Sequence, residues 1–205
     1  MANCESNVLS VGKLPPTLLN SLLQELGHGP EVLQGGAIGL DAAAIDFAPG
    51  SGKYLLAKTD PITFATDRIG EYAINVNAND IVCMGGIPKW FLATALLPES
   101  TDEEGVRNIF GQLKDTCASL GVSLIGGHTE ITLAVDRPLV IGCMLGEVRD
   151  TGLLLPKNAC SGDVLILTQG IAIEGTAVLA RDATIDLLEA GLSKDQVEAA
   201  GFPSV

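Results

Sequence analysis

Leucines spaced three and four residues apart predict an amphipathic helix over residues 15–26. Leu18, Leu22, Leu23 and Leu26 fall on one helical face, and two prolines open the segment. Four further segments are predicted to be helices: residues 67–84, 101–120, 174–190 and 194–200. The chain therefore alternates helices with other elements.

Two of these helices have candidate signals at their first turn. Asp67 is a candidate N-cap for the helix that continues to residue 84. Thr101-Asp102-Glu103-Glu104 has the pattern of a capping box.

Short runs of apolar and β-branched residues between the helices predict strands. They are residues 42–47, 54–59, 91–97, 122–125, 131–135, 139–148 and 163–168. The turn at 49–52 joins the first two strands into a hairpin, and we expect a second hairpin from 131–135 and 139–148. Residues 126–130 are expected to form a turn. Strands and helices in this order predict a mixed α/β (α+β) fold.

Residues 149–160 are a plausible domain boundary, since Leu153-Leu154-Leu155-Pro156 leads into a polar turn. The sequence thus predicts a first domain over residues 1–150 and a second region over 151–205. The second region holds only about fifty residues, which is near the lower limit for independent folding.

Composition and charge narrow the classes of function. Hydrophobic residues make up 47% of the 205 residues, which is enough to build a core and argues against disorder. Acidic residues outnumber basic ones by 25 to 12, and the formal charge of −13 disfavours nucleic-acid binding. A protein of this charge that binds phosphates needs recruited cations or backbone N–H groups.

The ends and cysteines of the chain carry no targeting or disulfide pattern. The first residues lack a signal-peptide pattern, and the apolar runs are far shorter than the roughly 20 residues of a membrane span. The five cysteines are widely separated and form no CxxC or Cys/His cluster, so neither a disulfide framework nor a zinc site is indicated. We expect a cytoplasmic protein whose cysteines are mostly buried.

Carboxylates at the ends of apolar elements are the most informative candidates for chemistry. Asp41 follows a glycine-rich loop, Asp60 ends a strand, and Asp80 lies on an otherwise apolar helix. The hairpin should bring Asp41 close to Asp60. Magnesium prefers oxygen ligands and combines carboxylates with substrate phosphates. Each aspartate could instead be a turn or cap residue, although a charge on a buried helical face is costly unless it is paired.

Three other features could take part in phosphate chemistry. The loop at residues 35–39 could offer backbone N–H groups to phosphate, although it matches neither the Walker nor the Rossmann pattern. Lys58 could neutralise a phosphate or simply be solvated. His128, beside Glu130, could contact a nucleotide, transfer a proton or only complete a turn.

Four segments together resemble the superfamily that contains AIR synthase, selenophosphate synthetase, thiamine-monophosphate kinase and a hydrogenase maturation factor. They are Gly39-Leu40-Asp41-Ala42-Ala43, Lys58-Thr59-Asp60-Pro61-Ile62-Thr63, Asn77-Ala78-Asn79-Asp80-Ile81-Val82-Cys83-Met84-Gly85-Gly86-Ile87-Pro88 and Gly126-Gly127-His128-Thr129-Glu130. Their amino-acid sequences are most similar to those of the AIR synthase-related branch.

The resemblance implies a PurM-like N-terminal domain that binds ATP and Mg²⁺ and whose sheet pairs with that of a second copy to form a barrel across a homodimer. It implies that Asp41, Asp60 and Asp80 bind the metal. His128 stands where kinase-like members carry an aspartate, which leaves the metal count open, and His128 and Glu130 remain candidate catalytic residues. The implied nucleotide-binding residues are Gly39, Lys58, Thr59, Asn79, Gly126 and Gly127.

The segments at residues 162–166 and 170–177 resemble the start of the C-terminal PurM-like domain, of which the rest is absent. The maturation factor also needs a cysteine on its C-terminal tail, and none stands at the end of this chain. Three functions stay open: an ATP-dependent phosphoryl-transfer or dehydration enzyme, a non-catalytic nucleotide-binding or assembly protein, and a dimerisation module without ligand. The acceptor substrate cannot be read from the sequence.

Overall fold

Six strands form one sheet, with helices before, between and after them. The computed structural model describes residues 8–64, 66–167 and 170–201. The helices are α1 (Pro16–Gln24), α2 (Ile69–Cys83), α3 (Glu103–Ser119), α4 (Ile173–Asp182), α5 (Thr184–Glu189) and α6 (Lys194–Gly201). The strands are β1 (Val32–Gln34), β2 (Ala43–Ile45), β3 (Lys53–Ile62), β4 (Ile87–Leu97), β5 (Ser123–Ile131) and β6 (Leu139–Arg149).

The strands lie side by side in the order β1-β2-β3-β6-β4-β5. All neighbouring pairs are antiparallel except β4 and β5, which are parallel. The expected mixed α/β fold is confirmed, and so is the hairpin of β2 and β3. None of the described helices is long and apolar enough to cross a membrane.

One face of the sheet carries the core. Strand alternation points Leu56, Phe91 and Met144 to this face, where all three are fully buried beneath α2 and α3. The intervening side chains, such as Trp90 and Leu92, point to the opposite face and are only partly buried. The two helices that pack extensively on the sheet both lie on its core face, so the opposite face is apolar and more open.

Two glycines on β6 set how closely α2 approaches the sheet. A Cβ atom on Gly142 would lie 2.4 Å from Nδ2 of Asn77, and one on Gly146 would lie 2.4 Å from Cγ2 of Ile81. Both contacts are with α2 side chains. The absence of side chains at these two positions therefore allows the helix to pack directly on the strand.

The helix starts differ from the expected caps. Asp67 does not cap α2. Instead, the Gly70 N–H donates to Oε1 of Gln112 on α3, and Nε2 of Gln112 donates to the Asp67 carbonyl. The α3 cap is Asp102, whose carboxylate accepts the Gly105 N–H, so the capping box based on Thr101 is also wrong. Short sequence motifs could not reveal a cap supplied by a distant glutamine.

The largest error concerns β5 and β6. Residues 126–130 are not a turn but the second half of β5, which continues to Ile131. The expected hairpin from residues 131–135 and 139–148 does not form either, because β6 lies between β3 and β4. Glycines suggested a turn here, but Gly127 is needed in the strand because a Cβ atom would meet the Ala93 carbonyl oxygen.

The N- and C-terminal segments bury few residues. Helix α1 is present as expected, but none of its residues is buried. The expected strand at 163–168 is wrong over the described residues 163–167, which are irregular; Thr168 lies outside the described residues. The helix expected over 174–190 is divided into α4 and α5 at Ala183. A strand needs a neighbour, and residues 163–167 are paired with none of the described strands.

We expect Gly142→Ala to destabilise the protein by about 1–3 kcal/mol, because the added methyl group overpacks the contact between α2 and β6. Chemical denaturation followed by circular dichroism measures this difference. The matched control is Gly111→Ala in α3, where no atom lies within 4 Å of the added Cβ. That change should be neutral or stabilising by about 0.5–1 kcal/mol, and equal losses in both variants would contradict the close-packing argument.

Candidate functional site

Lys58 joins two acidic side chains from different elements. Its Nζ lies 2.8 Å from Oδ2 of Asp80 on α2 and 3.4 Å from Oδ2 of Asp60 on β3. The side chains of Lys58 and Asp80 are each only 20% exposed. We call Asp41, Asp60 and Asp80 the carboxylate cluster, and Lys58 is the cation between Asp60 and Asp80.

Secondary structure explains why these side chains meet. Lys58 and Asp60 are two residues apart on β3, so they point to the same face of the sheet as the core residue Leu56. Asp80 lies near the end of α2, which packs on that face. The buried Asn77, one turn earlier, donates from Nδ2 to the carbonyls of Ala73 and Asp60. This amide ties the helix to the strand beside the cluster.

Asp41 belongs to the same electrostatic neighbourhood. Ala43 pairs with Ala57 across the β2–β3 hairpin, which places Asp41 near the level of Thr59 on β3. The negative charge of Asp41 reaches Asp80 and raises its pKa, as does the charge of Asp60. The structure therefore brings all three sequence-predicted metal ligands into one region. Their role as ligands stays a prediction.

Burial and like charges set the protonation of the cluster. Burial is the largest cause that raises the pKa of Asp80, and together with the charges of Asp41 and Asp60 it outweighs the opposing hydrogen bond and charge of Lys58. Burial alone would lower the pKa of Lys58, but the hydrogen bond that its ammonium donates to Asp80 and the charges of Asp80 and Asp60 raise the pKa above its usual value. Lys58 and Asp80 therefore each favour the charged form of the other.

The expectation that the cysteines are mostly buried is wrong for the described ones, since only Cys117 is buried, whereas Cys83 and Cys160 are exposed and Cys143 is intermediate. Cys83 is exposed and lies one turn after Asp80 on α2. Although the residue as a whole is exposed, partial burial of its thiol raises the pKa of Cys83, and the charges of Asp41 and Asp80 raise it further. The three-residue spacing between Asp80 and Cys83 was the sequence signal that the two side chains lie on neighbouring turns of one helix.

Three predicted nucleotide-binding residues lie close to the cluster in the chain but differ in orientation. Gly39 has a φ of +82° in a turn closed by the Leu40 N–H and the Ala37 carbonyl, and a Cβ there would meet no atom within 4 Å. Asn79 is exposed beside Asp80. Thr59 instead points away from Lys58 by strand alternation, and its hydroxyl donates to the Gly142 carbonyl at 2.7 Å.

His128 and Glu130 lie elsewhere within the chain. Nε2 of His128 is 3.1 Å from Oε2 of Glu130, and both side chains are exposed on the edge strand β5. Asp60 aligns with Gly142, Ala93 and Gly127 across the sheet. Three strand spacings of about 4.8 Å separate the ends of this row by roughly 14 Å.

Strand alternation also separates the two groups by face. His128 pairs with Thr94, which points away from the core face that carries the carboxylate cluster. Gly126 and Gly127 line a groove of about 390 Å³ between β5 and α3, on the core side. A single chain therefore does not bring the candidate catalytic pair and the cluster together.

The cluster suits a metal that is shared with phosphates. Across the described ranges, no three His, Cys, Asp or Glu side chains already form a group able to hold a metal ion. Magnesium commonly takes one or two carboxylates and fills its remaining positions with water and substrate phosphate oxygens. The oxygen donors of Asp41, Asp60 and Asp80 fit that mode, whereas an all-protein cage does not fit them.

Comparisons with known proteins identify a family and relatives for the chain. Residues 39–148, which are 110 of the 205 residues, match the sequence model of the family described as AIR synthase related protein, N-terminal domain. The chain is 29% identical over 151 residues to thiamine-monophosphate kinase of Pyrococcus horikoshii, covering 70% of this chain and 46% of that protein. It is 25% identical over 184 residues to carbamoyl dehydratase HypE of Escherichia coli, covering 83% and 52%. The chain thus spans about half the length of these curated relatives.

Solved structures share the fold. Thiamine monophosphate kinase from Aquifex aeolicus has a TM-score of 0.64 at 19% identity, covering 90% of this chain and 56% of that one. AaThiL complexed with AMPPCP and TMP has a TM-score of 0.51 at 23% identity, covering 65% and 40%. These matches confirm the PurM-like mixed α/β fold with its six-stranded sheet. The barrel across a dimer and the start of a second domain stay predictions.

We expect Asp80→Asn to lower the pKa of Lys58, because it removes the largest interaction that raises this pKa and leaves the effect of burial. An NMR titration of the lysine Nζ signals measures the change, with Lys53→Met, which alters a separate ion pair on β3, as the control. In the wild type, the folded-state pKa of Lys58 is raised, so its stabilisation is present at neutral pH and is lost as pH rises through that pKa. An unchanged Lys58 pKa in Asp80→Asn would contradict the assigned pairing.

Proposed function

Because the chain belongs to the AIR synthase related family, we propose that it binds ATP together with Mg²⁺ at the carboxylate cluster. The observation that carries this proposal is the convergence of Asp60 and Asp80 on one ammonium, with Asp41 close enough to influence Asp80. A loop, a strand and a helix each supply one carboxylate. Such convergence requires the tertiary fold and is not a property of one turn.

Electrostatics explains why a metal is needed. Three carboxylates and a triphosphate repel each other, and the chain as a whole carries a formal charge of −13. Asp41, Asp60 and Asp80 would hold Mg²⁺, which would supply the positive charge that offsets this repulsion. The aspartates position that charge, and the open turn at Gly39 and the exposed Asn79 are available beside it for contacts with the nucleotide.

The relatives suggest a class of reaction. They include a kinase and a dehydratase, and one similar structure is complexed with AMPPCP. We infer that ATP either donates its phosphoryl group or activates a substrate oxygen as a phosphate ester. Both reactions depend mainly on positioning and on neutralising charge. The acceptor remains a small molecule of unassigned identity.

A second candidate function is nucleotide binding for assembly, without catalysis by this chain alone. The separation of His128 and Glu130 from the carboxylate cluster, on another face of the sheet, favours it. The two functions differ in turnover. Release of phosphate from ATP by the purified chain supports the enzyme, whereas tight Mg²⁺–ATP binding without release supports the assembly protein.

The open face of the sheet supports a homodimer. Trp90 and Leu92 on β4 and Leu145 on β6 are apolar and only partly buried there. Burial of this face against a second copy would remove apolar surface from water. Such a pairing corresponds to the barrel across a dimer that the family resemblance implies.

We expect Asp80→Asn to weaken Mg²⁺-dependent ATP binding by at least about tenfold, which is the lower end of the loss when even an outer-shell partner of a metal is removed. Isothermal titration calorimetry with Mg²⁺ and a non-hydrolysable ATP analogue measures the affinity. Asp115→Asn, on the exposed surface of α3, is the matched control. Unchanged affinity in a folded Asp80→Asn variant would remove Asp80 from the site.

We expect Leu92→Glu to convert the dimer to a monomer, because the interface would bury an unpaired charge. Sedimentation velocity measures the oligomeric state. Leu133→Glu places the same charge on a loop residue that is 84% exposed, and it should leave the dimer intact. A wild-type protein that sediments as a monomer at micromolar concentration would refute the proposed dimer.

A further inference from the structure

Lys58 differs from the other lysines that form ion pairs in the described parts of the chain. Lys53, Lys114 and Lys194 each contact one carboxylate, and their side chains are 54%, 76% and 80% exposed. Lys58 contacts two carboxylates and is 20% exposed. The side chains of the other three lysines are largely in contact with water, whereas Lys58 is held between two carboxylates.

The position of the ammonium matters for any cation that binds the same oxygens. Lys58 approaches Oδ2 of Asp60 and Oδ2 of Asp80, and these two carboxylates are proposed to bind the divalent ion. Two cations at one place repel each other, so the ammonium and a divalent ion cannot both remain there. The lysine stem has several rotatable bonds, which allows the ammonium to leave while its backbone stays in β3.

We propose that Lys58 is a tethered counter-ion that holds the carboxylate cluster together until a divalent cation displaces it. This inference rests on the proposed function. It makes Lys58 a specificity determinant. A free divalent ion must break both ion pairs of Lys58 and leaves the displaced ammonium without a new partner. A divalent ion that arrives with a nucleoside triphosphate brings phosphate oxygens to which the displaced ammonium can move.

The consequence is that metal and triphosphate bind as one unit, with the metal alone bound weakly. Without Lys58, the three carboxylates would lack their internal cation and would attract a free divalent ion more strongly. Removal of Lys58 should therefore have opposite effects on two affinities. The affinity for free metal rises, while the affinity for the metal–triphosphate complex does not rise in parallel.

The test measures Mn²⁺ binding without nucleotide, by the loss of the free Mn²⁺ signal in electron paramagnetic resonance. Lys58→Met should bind MnCl₂ about tenfold more tightly than the wild type, a ratio equivalent to about 1.4 kcal/mol. Lys53→Met, which removes a lysine from the same strand but not from the cluster, should match the wild type. Lys58→Arg, which keeps a cation, should also stay close to the wild type.

A second measurement covers the case in which Lys58→Met folds poorly. Lys58→Gln is studied by thermal unfolding in EDTA and in MgCl₂ without nucleotide. Its Tm should fall in EDTA and be restored by MgCl₂ more strongly than that of the wild type. The double variant Lys58→Met/Asp80→Asn should lose the gain in Mn²⁺ affinity, because one of the two oxygen donors beside Lys58 is then neutral.

The outcomes separate this inference from the proposed function. If the wild type binds Mn²⁺ with ATP but Lys58→Met and Lys58→Gln show no gain for free metal, Lys58 is not a competing counter-ion and only this inference fails. If neither the wild type nor the variants bind Mn²⁺ with or without ATP, the metal site itself fails. A gain of equal size in Lys53→Met would reduce the effect to net charge and would also overturn the inference.

Discussion

Mutual repulsion among carboxylates is the constraint around which the candidate site is organised. Helix α2 packs directly on β6, and this packing holds Asp80 against the strand that carries Asp60. Burial raises the pKa of Asp80, and the charges of Asp41 and Asp60 raise it further. A protein that brings these acids together must supply a positive charge, and here Lys58 supplies it through contacts of 2.8 and 3.4 Å.

This arrangement connects the fold to the function proposed for it. The core face of the sheet carries both the hydrophobic contacts of α2 and the acids at its end, so packing and chemistry share one surface. The opposite face is apolar and open, and the edge strand β5 carries His128 and Glu130 at a distance from the acids. Nucleotide binding, self-association and any proton transfer would then use different parts of one sheet.

The sequence allowed much of this to be predicted, for identifiable reasons. Apolar residues on related helical faces located α2, and the segment at 101–104 marked the start of α3. The turn at 49–52 located the β2–β3 hairpin. These are local signals. The family resemblance located Asp41, Asp60 and Asp80 together. It could not locate Lys58 between two of them, since a side-chain contact across a strand and a helix depends on their packing.

The errors also follow from non-local structure. Strand order is set by contacts between distant segments, so β6 entered the sheet between β3 and β4 without any mark in its own sequence. Gly126 and Gly127 suggested a turn, although close approach to Ala93 explains the second glycine within a strand. Gln112 caps α2 from another helix, and no motif around Asp67 reports it.

The two glycines of β6 have a consequence for related proteins, because they determine how closely α2 packs on the sheet. Gly142 and Gly146 have no functional atoms, yet a methyl group at either would push against α2 and shift the acid that this helix carries. A homologue that keeps every aspartate but has a bulky residue at position 142 would retain the chemical groups and lose their alignment. Small residues at these positions are therefore needed for the packing that aligns Asp80 with Asp60.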